Sequence, residues 1–199
     1  MKVTIPYTPR KQQAFIHKEL DKHRFSVLCC HRRFGKTVML INHLIKCCMM
    51  NKNHQPRFAY IAPTYSQAKK IAWDYLKFYT KGLPNTKYNE TELRCDFFNG
   101  SRITLLSSEN PDSIRGIYLD GVVCDEASQI SRELIDEVIR PAIADRKGWM
   151  SLCSTPKGMN NIFYDMYLKA QQEKDWFLYK AKASETNLVD KEELDAAFK

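Results

Sequence analysis

The heptapeptide His31-Arg32-Arg33-Phe34-Gly35-Lys36-Thr37 constrains this chain more than any other stretch. A short apolar run, Phe25-Ser26-Val27-Leu28-Cys29-Cys30, leads into it, and Val38-Met39-Leu40-Ile41-Asn42-His43-Leu44-Ile45 leads out with helical character. Strand, tight loop and helix in that order aim backbone N–H groups and a helix N-terminus at one point, a geometry suited to phosphate. Gly35, Lys36 and Thr37 fall at the loop–helix junction. A lysine there reaches β- and γ-phosphates, and a threonine hydroxyl there reaches Mg2+. The full phosphate-loop pattern has a glycine five residues before Gly35, and Cys30 stands in that place. Gly-Lys-Thr also opens helices in ordinary surface turns. The reading therefore demands two further features: a strand ending in carboxylates, and a cation for the charge of a transferring phosphoryl group.

The first feature lies in Gly121-Val122-Val123-Cys124-Asp125-Glu126-Ala127. A β-branched run predicts an interior strand, and two adjacent carboxylates close it. Asp125 would take the metal through water, and Glu126 would polarise an attacking water. An acid pair after a strand is common, but its position downstream of Gly-Lys-Thr in an α/β pattern makes the two halves support each other. Trp149-Met150-Ser151-Leu152-Cys153 predicts a further strand, followed by Ser154-Thr155-Pro156-Lys157-Gly158. Polar groups at a strand's carboxyl end face the crevice of an open α/β sheet, so Ser154 or Thr155 would sense the γ-phosphate. Two arginines qualify as the cation: Arg32, inside the loop and acting in cis, and Arg115, in the polar segment Ser107–Tyr118 before the acid-pair strand. Such a cation is worth on the order of 10³–10⁵ in rate. Arg115 could instead only shape its loop through an ion pair, and Arg33 could pair with phosphate or carboxylate without a catalytic part.

The rest of the chain reads as alternating strands and helices. Pro9 opens a helix running to about Asp21. Tyr7 and Gln13, just upstream of the loop, could stack on an adenine and pair with its edge, or pack against the sheet. Arg57–Ala62 predicts a strand stopped by Pro63. A helix follows from about Ser66 to Tyr79, with Lys69, Lys70 and Lys77 on one face. Residues 85–99 read as irregular. Asn99-Gly100 signals a hairpin into a strand at Ser101–Leu106, antiparallel and at a sheet edge. Ser131 caps a helix to about Asp145, kinked at Pro141. A helix over Asn160–Gln172, a strand at Trp176–Ala181 and a helix-prone tail from Asp190 complete the chain.

Composition sets bounds. The 199 residues suffice for one α/β domain with a full core, and 44% apolar content excludes a disordered chain. The net charge of +8 suits a polyanionic partner without identifying one. Seven cysteines are odd in number and form no Cys-x-x-Cys pair, which argues against a zinc site or disulfide framework and for a reducing compartment. The N-terminus lacks the apolar core of a signal peptide, and no run approaches a membrane span. A soluble cytoplasmic protein is expected.

The motifs now stand in order: Tyr7-Thr8-Pro9 with Gln13, Arg32-Arg33-Phe34-Gly35-Lys36-Thr37, Ala62-Pro63-Thr64, Arg115-Gly116 with Asp120, Asp125-Glu126-Ala127, and Ser154-Thr155-Pro156. This order resembles the N-terminal ATPase domain of the large terminase subunit of tailed bacteriophages, over nearly the whole chain. The resemblance implies a P-loop NTPase of the ASCE, RecA-like kind: a mostly parallel central sheet flanked by helices, with an antiparallel edge. It implies one ATPase domain over 1–199, with an adenine-side segment at about 1–24 and a C-terminal subdomain or linker from about 160. The family's ribonuclease-H-like nuclease finds no room in this chain. It implies ATP and Mg2+ as cofactors, with Tyr7, Gln13, Arg33, Gly35, Lys36, Thr37 and Asp125 at the nucleotide, and Thr37 and Asp125 at the metal. Glu126, Arg115 and Arg32 would be catalytic, and Ser154 and Thr155 would couple hydrolysis to motion. Double-stranded DNA, a portal protein and a small terminase subunit are the implied partners, and a homo-oligomeric ring in the cytoplasm of an infected bacterium is the implied setting. Lys69, Lys70 and Lys157 are candidate DNA contacts. A helicase or translocase lobe, a nucleotide-gated DNA-binding switch and a basic structural domain are the competing readings.

Overall fold

Alternating apolar runs build a central sheet with helices on both faces. The computed structural model describes residues 4–186 and Leu188; the tail from Asp190 lies outside the described residues. In chain order the strands are β1 (Phe25–Cys30), β2 (Arg57–Ala62), β3 (Lys87–Asn89), β4 (Arg94–Asp96), β5 (Arg102–Ser107), β6 (Gly121–Asp125), β7 (Trp149–Ser154) and β8 (Trp176–Ala181). Six of them lie in the order β5-β2-β6-β7-β1-β8, all parallel. The two short strands β3 and β4 extend the β5 edge antiparallel. Residues 85–99 are thus more ordered than their polar sequence suggests. β3 and β4 are three residues long, and each carries one apolar side chain at most, too little for a readable alternation.

Successive strand residues point to opposite faces, and both faces are covered. Leu28, Cys30, Phe58, Tyr60, Val123 and Cys153 face one layer. That layer holds α1 (Lys11–Leu20), α2 (Lys36–Met50) and α3 (residues 65–80). Val27, Ala59, Ile61, Val122, Cys124 and Leu152 face the other. That layer holds α4 (residues 132–144) and α5 (Ile162–Gln172). The seven cysteines are unpaired, and all but Cys47 are buried, in keeping with their use as small apolar side chains.

Two helices are wider than an α-helix in part. α3 contains a π-helical stretch, Ala68–Ala72, and α4 contains another, Leu134–Ile139. The second ends just before Pro141, whose ring and missing N–H forbid an ordinary turn. Ser131 accepts from Leu134 N at 3.2 Å, so the cap stands where the sequence puts it. The region from about 160 contributes α5 and the edge strand β8, which pairs with β1 along its length. Asp120 is buried at the amino end of β6, where it accepts from Arg57 N at 2.8 Å and Asn53 Nδ2 at 2.6 Å. It pins the start of β2, at the opposite end of the sheet from the acid pair.

Candidate nucleotide site

The carboxyl ends of β1, β7, β6 and β2 open on a single cleft of about 350 Å³. β7 lies between the strand that enters the loop and the strand that ends in Asp125. The loop turns at Arg33 (φ 66°) and Gly35 (φ 78°), two left-handed positions that release the chain into α2. Gly35 also passes tightly by its neighbours: a Cβ there would sit 3.0 Å from Gln13 Nε2 and 3.1 Å from Arg10 Nη2. Arg10 donates to the Phe34 carbonyl, and Gln13 Nε2 lies 3.4 Å from the Phe34 and Gly35 carbonyls. These two side chains of the N-terminal segment brace the loop from behind. His31 ties the start of the loop to the segment after β8, with its Nε2 2.8 Å from Thr186 Oγ1.

Lys36 is buried, with its Nζ 2.6 Å from Thr155 Oγ1 and 3.2 Å from Glu126 Oε1. Thr37 Oγ1 donates to Asp125 Oδ2 at 2.9 Å. The Asp125 carboxylate is buried, so desolvation raises its pKa; donation from Tyr60 and Thr37 pulls the other way. Tyr60 OH also donates to Oδ2, and Glu126 N donates to Oδ1 at 2.9 Å. Glu126 itself sits in the left-handed region (φ 48°), rare for a side chain that size. That backbone turns its carboxylate from the strand toward Lys36 and Ser154, whose Oγ is 3.4 Å from Oε2. Ser154 Oγ continues to Ser128 Oγ at 2.8 Å.

The sequence candidates therefore fall into two groups. Arg32, Thr37, Asp125, Glu126 and Thr155 line the cleft, with Lys36 bonded to two of them. Lys157 lines its mouth too, although the sequence places it among DNA contacts. Arg33 is exposed on the loop, and Arg115 lies outside the cleft of its own chain, paired to Asp112 at 2.8 Å and Glu133 at 3.3 Å. Tyr7 is engaged by protein: its hydroxyl is 3.0 Å from His17 Nε2 and its ring stands edge-on to Tyr79. Gln13 would have to leave the loop carbonyls to meet a base. Sequence reasoning missed Arg10 and Tyr60. For Tyr60 a signal exists: a phenol in a strand covered on both faces needs a hydrogen-bond partner inside.

Thr37 and Asp125 offer a hydroxyl and one carboxylate, an all-oxygen set that suits Mg2+, an ion that keeps waters and phosphate oxygens as its other ligands. No group of three or more His, Cys, Asp or Glu side chains among the described residues forms a separate metal site.

A family model described as "Terminase large subunit, T4likevirus-type, N-terminal" matches residues 31–198. The chain belongs to this family. Among curated large terminase subunits, that of Thermus phage G20c is 29% identical over 181 residues, covering 81% of this chain and 36% of the relative. That of Escherichia phage T5 is 29% identical over 167 residues, covering 80% and 37%. This terminase chain thus spans about a third of the length of the curated relatives it matches. Among solved structures, the Thermus phage P74-26 large terminase ATPase domain has a TM-score of 0.73 at 25% identity, over 89% of this chain and 82% of that one. The large terminase of a thermophilic bacteriophage, solved in complex with ADP, has a TM-score of 0.76 at 17% identity, over 94% and 48%, a likeness of fold. The mostly parallel sheet with an antiparallel edge is the fold of these terminase domains.

Proposed function

We propose that this terminase chain is an ATP-hydrolysing motor domain that drives double-stranded DNA into a procapsid. One observation carries the reading: Lys36, the Thr37–Asp125 pair and Glu126 meet in one cleft at the carboxyl ends of four parallel strands. Lys36 takes the β- and γ-phosphates of ATP, and the start of α2 takes their remaining charge. Thr37 and Asp125 hold Mg2+, which when bound neutralises charge on the phosphate oxygens. Glu126, once Lys36 has turned to phosphate, accepts a proton from the attacking water and orients it in line with the γ-phosphorus. Arg32 positions phosphate in cis. Arg115, turned away from its own cleft, serves a neighbouring subunit of a ring. Ser154 and Thr155 touch Glu126 and Lys36 respectively, so they register the state of the nucleotide and couple it to motion. Tyr7 and Gln13 border the adenine side, and Arg33 pairs with phosphate at the loop's rim.

DNA is held chiefly through phosphates, with Lys69 and Lys70 on the exposed face of α3 as contacts. A portal protein and a small terminase subunit complete the machine in the host cytoplasm; among the described residues no helix is long and apolar enough to cross a membrane. Family membership sets aside the two-lobed helicase. A nucleotide-gated switch is separated by turnover. ATP hydrolysis per subunit, measured against protein concentration with Glu126→Ala as the blank, should rise with concentration if Arg115 acts in trans. A flat dependence that the mutation abolishes would place the cation in cis at Arg32. Hydrolysis equal in wild type and Glu126→Ala would overturn the reading.

A further inference from the structure

We infer that Tyr60 is a positioning residue for the metal-holding carboxylate, an inference that rests on the nucleotide-site reading above. Asp125 is nearly inaccessible to solvent, at 5% exposure, so water cannot fix its orientation. Three protein donors fix it instead. Oδ1 accepts from the backbone N–H of Glu126 at 2.9 Å. Oδ2 accepts from Thr37 Oγ1 at 2.9 Å and from Tyr60 OH. The donors come from three different parts of the fold: the strand end itself, the start of α2, and β2.

The Tyr60 bond differs from the other two. The Glu126 amide belongs to the next residue and turns with the same strand end. The Thr37 hydroxyl has a second duty, because its lone pairs would face Mg2+ while its proton stays on Asp125. The Tyr60 hydroxyl has no such duty: the residue is buried, 3% exposed, on the sheet side of the cleft wall. A rigid ring with two side-chain torsions delivers it at low entropic cost. β2 pairs with β6 through Tyr60↔Val123 and Ile61↔Cys124, so ring and carboxylate ride on hydrogen-bonded neighbours. Without the phenol, Oδ2 keeps one donor, Thr37 Oγ1, the hydroxyl that would also serve Mg2+. The carboxylate would then sample other rotamers, and Mg2+ would have to order it on binding.

Tyr60→Phe removes one oxygen and keeps the ring. Mn2+, a paramagnetic stand-in for Mg2+, can be titrated into the ADP complex and read from its electron paramagnetic resonance spectrum. ADP affinity is measured in parallel with EDTA present, and the melting temperature of each variant is recorded. In wild type the ADP complex should bind Mn2+ more tightly than ADP alone does. In Tyr60→Phe that Mn2+ affinity should fall on the order of tenfold, the usual scale for losing a hydrogen bond to a charged group. Metal-free ADP affinity should stay within about twofold of wild type. In the Asp125→Asn background, Tyr60→Phe should change Mn2+ binding no further. Equal Mn2+ affinity in wild type and Tyr60→Phe would overturn the inference while leaving the nucleotide site standing. So would a loss of the same size in both backgrounds, or one shared by metal-free ADP, because either marks a merely structural tyrosine. A wild-type protein with no ADP-dependent Mn2+ site would overturn the nucleotide-site reading itself, and the inference with it.

Discussion

Lys36 and Glu126 make opposite demands on the same cleft, and substitutions should separate them. Lys36→Ala removes the cation proposed to take the phosphates, so nucleotide affinity should drop about 10- to 100-fold by equilibrium titration, with turnover lost. Glu126→Ala removes the group proposed to handle water and, with it, the competitor for Lys36. It should bind ATP at least as well as wild type while turnover falls by about 100-fold or more in a phosphate-release assay. Of these residues, Lys36, Thr37, Asp125, Glu126, Ser154 and Thr155 were legible because each belongs to a local pattern: a loop tripeptide, an acid pair, a polar strand end. Tyr60 and Arg10 were not. Their partners lie 65 and 24 residues away in the chain, and only the pairing of β2 with β6 and the fold-back of the N-terminal segment bring them together.

Elements carry a different dependence. His17 on α1 and His43 on α2 stack with Nδ1 atoms 3.1 Å apart, and Tyr7 closes the chain on His17. Burial lowers His17 to about 4 and His43 to about 3, with Lys46 adding to both. Both imidazoles are neutral in the folded protein near neutral pH, whereas the unfolded chain protonates them below about pH 6.5. The unfolded state therefore binds more protons as pH falls from about 6.5 toward about 4 for His17 and about 3 for His43, and stability falls over that window. At about pH 5 the loss is about 2 kcal/mol per histidine. The melting temperature should drop between about pH 7 and about pH 5, and His17→Gln with His43→Gln should flatten that slope. Gly148 is a second weak point: a Cβ there would lie 2.4 Å from the Leu119 carbonyl oxygen, which is backbone and cannot swing away. Gly148→Ala should cost on the order of 1–3 kcal/mol in urea unfolding. The long strands were readable because sheets covered on both faces demand continuous apolar runs. The π-helical stretches were not, since widening by one residue leaves the apolar spacing of α3 and α4 nearly unchanged.

The sequence carries a net charge of +8, and the proposed motor would have to grip any sequence, so DNA affinity should fall linearly in log–log terms with salt and depend little on base composition. Fluorescence anisotropy with two unrelated duplexes checks both; a strong sequence preference would contradict contact through phosphates. The Lys36–Glu126 ion pair has a consequence for the timing of the full cycle. In the proposed cycle, after loss of the γ-phosphate Lys36 would hold only the shorter product, and the Glu126 carboxylate would compete to take the lysine back. Each recapture would help expel ADP. The residue proposed to handle the attacking water would thus also shorten the wait before the next ATP, and a Glu126→Gln protein should retain ADP longer than wild type in a stopped-flow chase.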